Sequence, residues 1–209
     1  MSAEESSVAV GAAGFDEEVA RAEIYGLLAQ LYYAPPEPAL LAALRAAPRE
    51  APMSGGFLEA SWQELVAQAD ALSDAAIAAE YTALFGGVGK PEVYLFGSFY
   101  QSGFLNEKPL VGLRDDLAAL GLERDPAMPE TEDHIAYLCE VMRYLIAGDD
   151  VAVANLTRQR EFFSAHLHPW VPAMCDAIGA HANARFYARV AAFTQAFVSV
   201  EAQGFDMLG

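Results

Sequence analysis

The residues best suited to chemistry stand together just after Pro129. Three carboxylates, from Glu130, Glu132 and Asp133, are followed directly by the imidazole of His134. Carboxylates form paired hydrogen bonds with guanidinium groups, and a carboxylate beside an imidazole can also serve in acid–base catalysis. The cluster therefore indicates either a binding site for a cationic group or an acid–base site. A simpler alternative stays open, in which the acids cap a helix and His134 is a surface residue.

The segment after this cluster has the apolar spacing of a buried helix. Apolar residues recur at intervals of three and four, which places them on one helical face, and a second apolar face follows the same period. We expect Thr131 to be the N-cap and Glu132 and Asp133 to lie in the first turn, where the helix dipole favours anions. The two faces consist of Ile135, Leu138, Cys139, Met142 and Leu145, and of Tyr137, Val141 and Tyr144.

The sequence lacks the motifs of metal sites and of common hydrolases. None of the four histidines stands four residues from another, and HExxH, CxxC and GxSxG do not occur. Cys139 and Cys175 lie in apolar helical surroundings, so we expect buried free thiols. A small all-α hydrolase that uses Asp133 and His134 in a helix-lined pocket is the alternative, although neighbouring residues on a helix do not face each other. We expect a protein that is not an enzyme and has no metal or cofactor.

The composition is acidic and rich in apolar residues. The 209 residues carry a net charge of −17, and 54% of them are hydrophobic. This charge argues against nucleic acid as a partner, because phosphates would be repelled, and a DNA-binding regulator would need a basic helix. The charge is compatible with a basic partner peptide, or it serves only to keep the chain in solution. No apolar run reaches the roughly 18 residues of a membrane span, and the N-terminus lacks signal-peptide features, so we expect a cytoplasmic protein.

Helical periodicity extends over most of the chain, and no segment shows the period of two that is typical of a strand. We therefore expect an all-α fold, a bundle of roughly 8–10 helices. A disordered tail is expected at 1–14, where there is little to bury, and a second tail at 204–209. The turn at 86–91 contains glycines, but their spacing does not match a phosphate-binding loop. Helices are predicted at 16–33, 38–47, 57–72, 74–85 and 109–120. The helix after the acidic cluster is expected to end at Gly148, and another is expected to run from Asp149 or Asp150 to His166. The last two are predicted to start near Pro169 and to span 181–201.

Three further stretches are specific by their order and spacing. The first joins an aromatic-x-x-Leu-Phe segment to a Ser-hydrophobic-Tyr element, the second ends in Asp-His, and the third joins His-Leu-x-x-Trp to a later Phe-Tyr pair. They are residues 80–86 with 97–100, residues 130–134, and residues 161–170 with Phe186 and Tyr187. On these motifs the chain resembles the TorD/DmsD/NarJ family of cytoplasmic chaperones for molybdenum-containing redox enzymes. Thr131 stands where the family usually has proline.

The resemblance implies an all-helical, TorD-like protein of two closely packed subdomains, at 15–128 and 129–203. It implies a chaperone that binds the twin-arginine signal peptide, or the folding precursor, of a molybdopterin enzyme's catalytic subunit. Such a chaperone holds its client until the cofactor is inserted and the precursor is exported. The resemblance is compatible with a monomer and with a domain-swapped dimer.

A groove for such a peptide is expected beside the acidic cluster. The apolar stretch of the peptide needs an apolar groove, which the aromatic segment between residues 81 and 100 can supply, although each of these rings could equally belong to the core. The resemblance places Tyr81, Leu84 and Phe85 in the groove. The peptide-binding residues expected in all are Tyr81, Leu84, Phe85, Tyr94, Phe96, Tyr100, Glu130, Glu132, Asp133 and His134.

Overall fold

The structure, a computed structural model, describes residues 4–49, 56–86, 90–105, 107–125 and 127–207, with side chains from Glu17 onward. In these residues the chain forms ten helices and no strand, and Phe96 and His134 form an isolated antiparallel bridge. The prediction of an all-α fold is confirmed. The helices are α1 (Glu4–Tyr33), α2 (Pro38–Ala46), α3 (Glu59–Ala71), α4 (Asp74–Phe85), α5 (Gly97–Ser102), α6 (Lys108–Ala119), α7 (Ile135–Ala147), α8 (Leu156–His166), α9 (Val171–Gly179) and α10 (Phe186–Asp206).

Several helices begin at residues that differ from the prediction. Helix α7 begins at Ile135, so the acidic cluster precedes it and does not form its first turn. Helix α8 begins after Asn155, whose side-chain oxygen accepts a hydrogen bond from the backbone N–H of Arg158 at 3.1 Å. Helix α10 begins at Phe186, and the short helix α5 has no counterpart in the prediction. Side-chain capping decides these starts, and the apolar period does not reveal it.

The expected tails fall partly outside the described residues. Residues 1–3 and 208–209 are outside them, as are residues 87–89 of the glycine-containing turn. Helix α1 extends back to Glu4, and helix α10 extends to Asp206. Disorder of the tails at 1–14 and 204–209 stays a prediction, because both ranges include residues outside the described ones.

The two halves of the chain contribute to one hydrophobic core. Helix α1 packs most extensively against α7, and α10 packs against α3 and α9. Helices early in the chain are thus buried by helices late in the chain, which is the packing that gives amphipathic helices their stability. The subdomain division at residue 128 stays a prediction. Fully buried aromatic side chains of this core include Tyr25, Tyr32, Trp170, Phe193 and Phe197.

A buried ion pair joins the first helix to the last. The guanidinium of Arg21 on α1 makes a forked contact with the carboxylate of Glu201 on α10, at 2.7 and 2.8 Å. Tyr25 donates a hydrogen bond to the same carboxylate at 3.0 Å, and Gln159 on α8 accepts one from the guanidinium at 3.0 Å. The guanidinium carbon lies 5.4 Å from the centre of the Phe205 ring. This cluster, the α1–α10 network, holds three helices together with partners that the chain itself supplies.

A second buried acid, Glu80 on α4, caps helix α10. Its carboxylate accepts hydrogen bonds from the backbone N–H groups of Arg185 at 2.8 Å, Phe186 at 3.1 Å and Tyr187 at 2.7 Å. A carboxylate at this position satisfies N–H groups that have no partner within the helix and complements the positive end of its dipole. The acid that begins the Glu-Tyr-x-x-Leu-Phe stretch therefore has a structural role, which is to fix α4 against the start of α10.

Candidate functional site

The acidic cluster lies in the loop between α6 and α7 and is paired with the segment that leads into α5. The backbone N–H of Ile135 donates to the carbonyl of Leu95 at 2.9 Å, and that of Gly97 donates to the carbonyl of Asp133 at 3.0 Å. The N-cap of α7 is His134, whose Nδ1 accepts a hydrogen bond from the N–H of Ala136 at 3.2 Å. The prediction that Thr131 is the N-cap is wrong, because the helix starts four residues beyond it.

Asp133 is buried and caps helix α5. Its Oδ2 accepts a hydrogen bond from the backbone N–H of Ser98 at 2.8 Å, and its Oδ1 accepts one from the Thr131 hydroxyl at 2.6 Å. Only 4% of the residue is exposed. Both carboxylate oxygens therefore serve the fold, and Asp133 has little surface to offer to a peptide. Its expected role as a direct binding residue is replaced by an indirect one, which is to hold α5 beside the start of α7.

His134 is also buried, with 4% of its surface exposed. Because Nδ1 accepts a hydrogen bond, the neutral ring carries its hydrogen on Nε2. Burial lowers the pKa of His134 to about 4, and the nearby charge of Asp133 opposes this shift only in part. The ring lies 5.0 Å from the ring of Phe96 and 5.8 Å from that of Tyr137. His134 is thus a neutral capping residue in an aromatic setting, and the alternative that it is a surface residue is wrong.

Glu132 is held by an arginine of the chain itself. The guanidinium of Arg114 on α6 makes a forked contact with this carboxylate, at 3.0 and 2.9 Å. Hydrogen bonding and charge from Arg114 lower the pKa of Glu132, although its partial burial acts in the opposite direction. The expectation that Glu132 is open to a peptide guanidinium is therefore corrected, because that position is already taken by Arg114.

Glu130 differs from the other two acids. Its side chain is half-buried, and among the described residues its carboxylate has no hydrogen bond or ion pair. Burial raises the pKa of Tyr81 and of Tyr137, and the negative charge of Glu130 contributes to both rises. The carboxylate thus stands close to two phenol groups and is the acid of the cluster that is open to a ligand.

Tyr81 and Tyr137, from two different helices, stand near this carboxylate, and Tyr33 from a third helix lies against Tyr137. Tyr33 at the end of α1 lies 5.9 Å from Tyr137 on α7, measured between ring centres, and its hydroxyl lies 3.6 Å from the sulfur of Met128. Tyr81 on α4 donates a hydrogen bond to the carbonyl of Tyr32 at 3.0 Å, which places it beside Tyr33. We name Tyr33, Tyr81 and Tyr137 with Glu130 the tyrosine cup.

The predicted groove residues on α4 are only partly accessible. Tyr81 and Phe85 are half-buried, and their rings lie 5.2 Å apart, packed against Tyr187. Leu84 is fully buried in the core, so it has no surface for a peptide. The expectation that Leu84 lines a groove is therefore corrected, because Leu84 lies on the buried side of α4.

The aromatic segment before and within α5 is folded back on itself. Tyr94 stacks on Phe99 at 4.0 Å between ring centres, and Tyr100 donates a hydrogen bond to the carbonyl of Tyr94 at 2.9 Å. Tyr100 also stacks on Trp170 at 5.7 Å. Together with Phe96, which contacts His134, these residues are half-buried. They form a wall next to the start of α7, and their contact with a peptide stays a prediction.

Sequence reasoning did not single out Tyr33, Met128 or Arg114 as residues of this site. Tyr33 is the last residue of α1 and stands just before Ala34-Pro35-Pro36, a position where a large aromatic residue is exposed at a helix end. The residue is 39% exposed. That local signal could have drawn attention to Tyr33, whereas the pairing of Arg114 with Glu132 depends on the distance between α6 and the loop.

Two hollows on the surface lie along α8, away from these residues. One, of about 480 Å³, lies between α6 and α8 and is lined by Asp116, Leu120 and Phe162 among others. The other, of about 390 Å³, lies between α8 and the end of α10, beside Arg160 and Phe205. No residue expected to bind a peptide lines either hollow.

Two absences concern the part of the chain that the structure describes. There, no group of three or more histidine, cysteine, aspartate or glutamate side chains is arranged to hold a metal ion. In the same residues, no helix is both long and apolar enough to cross a lipid bilayer.

The chain is similar to a known family, to curated proteins and to a solved structure. Residues 54–176 match the model of the nitrate reductase delta subunit family. Chaperone protein TorD from three strains of Vibrio cholerae serotype O1 is 27% identical over 139 residues, which span 63% of this chain and 63% of TorD. The fold matches the crystal structure of a candidate redox enzyme maturation protein from Archaeoglobus fulgidus with a TM-score of 0.55 at 18% identity, over 86% of this chain and 93% of that one.

Proposed function

We propose that this chain, which belongs to the nitrate reductase delta subunit family and is similar to chaperone protein TorD, is a chaperone for the maturation of a molybdenum-containing redox enzyme. It binds the twin-arginine signal peptide or the folding precursor of the catalytic subunit. It holds that client in the cytoplasm until the cofactor is inserted and the client is exported. The protein acts by binding and requires no cofactor of its own.

The observation that carries this proposal is the Glu130 carboxylate in the tyrosine cup. A guanidinium group prefers a planar carboxylate partner that can accept two parallel hydrogen bonds. Glu132 has such a partner in Arg114, and Asp133 caps α5. Glu130 has no such partner among the described residues, so it is the acid to which we assign an arginine of the signal peptide.

The apolar stretch that follows the arginines needs apolar surface nearby. Tyr81 and Phe85 offer half-buried rings on one side of the cup, and Phe96 offers another on the side of His134. An extended or helical peptide can therefore place its arginines at Glu130 and its apolar residues along these rings. A net charge of −17 attracts such a cationic peptide at long range.

The hydrolase alternative has less support. Asp133 and His134 each have separate capping partners, and the low pKa of His134 leaves the ring neutral at pH 7 with Nδ1 already occupied. A base needs a free nitrogen within hydrogen-bond reach of the proton that it removes. The pair is thus arranged to build the site and not to transfer protons.

Calorimetric titration with a synthetic twin-arginine peptide tests the proposal. We expect saturable binding that weakens as salt rises from low to physiological concentration, because a half-exposed carboxylate is screened in part. A peptide with both arginines replaced by alanine should bind at least about tenfold more weakly, the loss expected when a charge-assisted hydrogen bond is removed. Equal affinities for the two peptides would contradict the proposal.

A further inference from the structure

The tyrosine cup contains two kinds of group that a ligand can satisfy. The first is the Glu130 carboxylate described above. The second is the hydroxyl of Tyr137, which is shielded from solvent and has no hydrogen-bond partner of good geometry among the described residues, although Tyr33 and the backbone of Glu130 lie close to it. Shielded polar groups without partners are uncommon, because each costs free energy until something satisfies it.

The chain already contains one guanidinium held by a similar set of groups. In the α1–α10 network a carboxylate takes the fork of Arg21, the hydroxyl of Tyr25 bonds to the same carboxylate, and the Phe205 ring lies 5.4 Å from the guanidinium carbon. The tyrosine cup offers a carboxylate, phenol hydroxyls and aromatic rings in the same manner. The two clusters differ in that no described residue supplies the cup with a cation.

We propose that Tyr33 and Tyr137 are the residues that make this site specific for arginine over lysine. The planar guanidinium of the peptide stacks on the ring of Tyr33, pairs with the Glu130 carboxylate and donates one hydrogen bond to the Tyr137 hydroxyl. This inference rests on the proposed function and adds to it which residues distinguish the two cations.

The physical difference between the two cations supports the choice of arginine. A guanidinium is flat, weakly hydrated and carries five N–H donors in a fixed plane, whereas an ammonium is a compact, strongly hydrated charge. Stacking against an aromatic face therefore favours arginine. A carboxylate alone attracts both cations, so the preference for arginine comes from the rings and from the shielded hydroxyl.

The experiment uses peptides of equal charge. A twin-arginine peptide and the same peptide with both arginines replaced by lysine are titrated into the wild-type protein and into Tyr33→Leu, Tyr33→Phe and Tyr137→Phe. The control is Tyr144→Leu, since Tyr144 on α7 is 40% exposed against 39% for Tyr33 and is not part of the cup. Thermal unfolding of each variant checks that it is folded.

We expect the wild-type protein to prefer the arginine peptide by about tenfold, the size that cation–π stacking and one added hydrogen bond give together. Tyr33→Leu should reduce this preference to about threefold, the part that the Tyr137 hydroxyl supplies, and Tyr33→Phe should restore it because the ring is kept. Tyr137→Phe should lower the affinity for the arginine peptide about threefold, with little change in the affinity for the lysine peptide. Tyr144→Leu should leave the preference unchanged.

Other outcomes separate the two proposals. Equal affinity of the wild-type protein for both peptides, or equal effects of Tyr33→Leu and Tyr144→Leu on the preference, would overturn the specificity inference while leaving peptide binding intact. A lack of binding by either peptide to the folded wild-type protein would overturn the inference and the proposed function together.

Discussion

The α1–α10 network and the tyrosine cup are built from the same kinds of residue but differ in the partners of their carboxylates. In the network, Glu201 has the guanidinium of Arg21 and the hydroxyl of Tyr25 as partners, and both Arg21 and Glu201 are buried. In the cup, Glu130 is half-buried near Tyr81 and Tyr137, and no described residue supplies a cation. Glu201, which has partners within the chain, stabilises the fold, whereas Glu130, which has none among the described residues, is the carboxylate to which the proposed function assigns a ligand.

The same distinction separates the three acids of the loop, although they lie within four positions of each other. Asp133 caps α5, Glu132 pairs with Arg114, and Glu130 has no hydrogen bond or ion pair in the part of the chain that the structure describes. Residue type is thus a poor guide to function here, and the partner of each carboxylate decides its role. The following predictions test this division between structural and binding acids.

The largest effect on stability is expected from a substitution in the α1–α10 network. Glu201→Gln leaves the Arg21 charge without a counter-charge inside the protein, which should lower the free energy of unfolding by about 3–5 kcal/mol and the melting temperature by roughly 10 °C. Affinity for the twin-arginine peptide, measured well below that temperature, should be unchanged. A double variant, Arg21→Met with Glu201→Leu, should recover much of the loss, because it removes both charges.

A stable Glu201→Gln protein would show that the network contributes little to the fold. A folded Glu201→Gln protein that binds the peptide much more weakly would show that the network belongs to the binding site, and the comparison would fail.

The next effect concerns the buried imidazole of His134. Its pKa is about 4 in the folded protein against about 6.5 in an unfolded chain. Between these values the unfolded chain binds more protons, so stability is fully present above pH 6.5 and falls as the pH drops towards 4. The loss should be on the order of 3 kcal/mol. His134→Asn keeps an N-capping side chain and should lack this part of the pH dependence.

Urea unfolding at pH 7, 5.5 and 4.5 measures this difference between the wild-type protein and His134→Asn. Parallel stability curves for the two proteins would mean that His134 titrates normally and is more accessible than the structure places it.

The smallest effect, and the most specific, compares two neighbouring acids of the loop. Glu130→Gln should lower the affinity for the twin-arginine peptide about tenfold, which is the size of one lost charge-assisted hydrogen bond. It should also reduce the salt dependence of binding. Glu132→Gln removes the same charge from the same loop and should change affinity less than about threefold, because that carboxylate is engaged by Arg114. Calorimetric titration of both variants measures the contrast, and a larger effect of Glu132→Gln would reverse the roles assigned to the two acids.

The sequence predicted the helical fold better than the partners of the residues in the candidate site. Apolar spacing was sufficient to predict the buried face of α7, since Ile135, Leu138 and Met142 are all in the core. It could not show that α7 starts at Ile135, because the cap comes from His134 and the preceding acids pair with other elements. A period describes one helix, whereas a cap given by one helix to another depends on their distance in space.

The candidate site shows the same limit. The motif containing Glu130, Asp133 and His134 drew attention to this loop, and its three acids were expected to act alike. Their partners, Arg114 on α6 and Ser98 on α5, are distant in sequence and come close only in the fold. The tyrosine cup was missed for the same reason, because Tyr33 belongs to α1 and lies about a hundred positions from Tyr137.

The most direct test of the central claim is a double-mutant cycle between Glu130 and the arginines of the peptide. Affinities are measured for the wild-type protein and Glu130→Gln, each with the twin-arginine peptide and with peptides in which one arginine is replaced by glutamine. If Glu130 pairs with one of these arginines, the effects of the two changes are not additive, and the interaction energy for that arginine is at least about 1 kcal/mol. Additive effects for both arginines would show that the carboxylate of Glu130 does not bind the peptide.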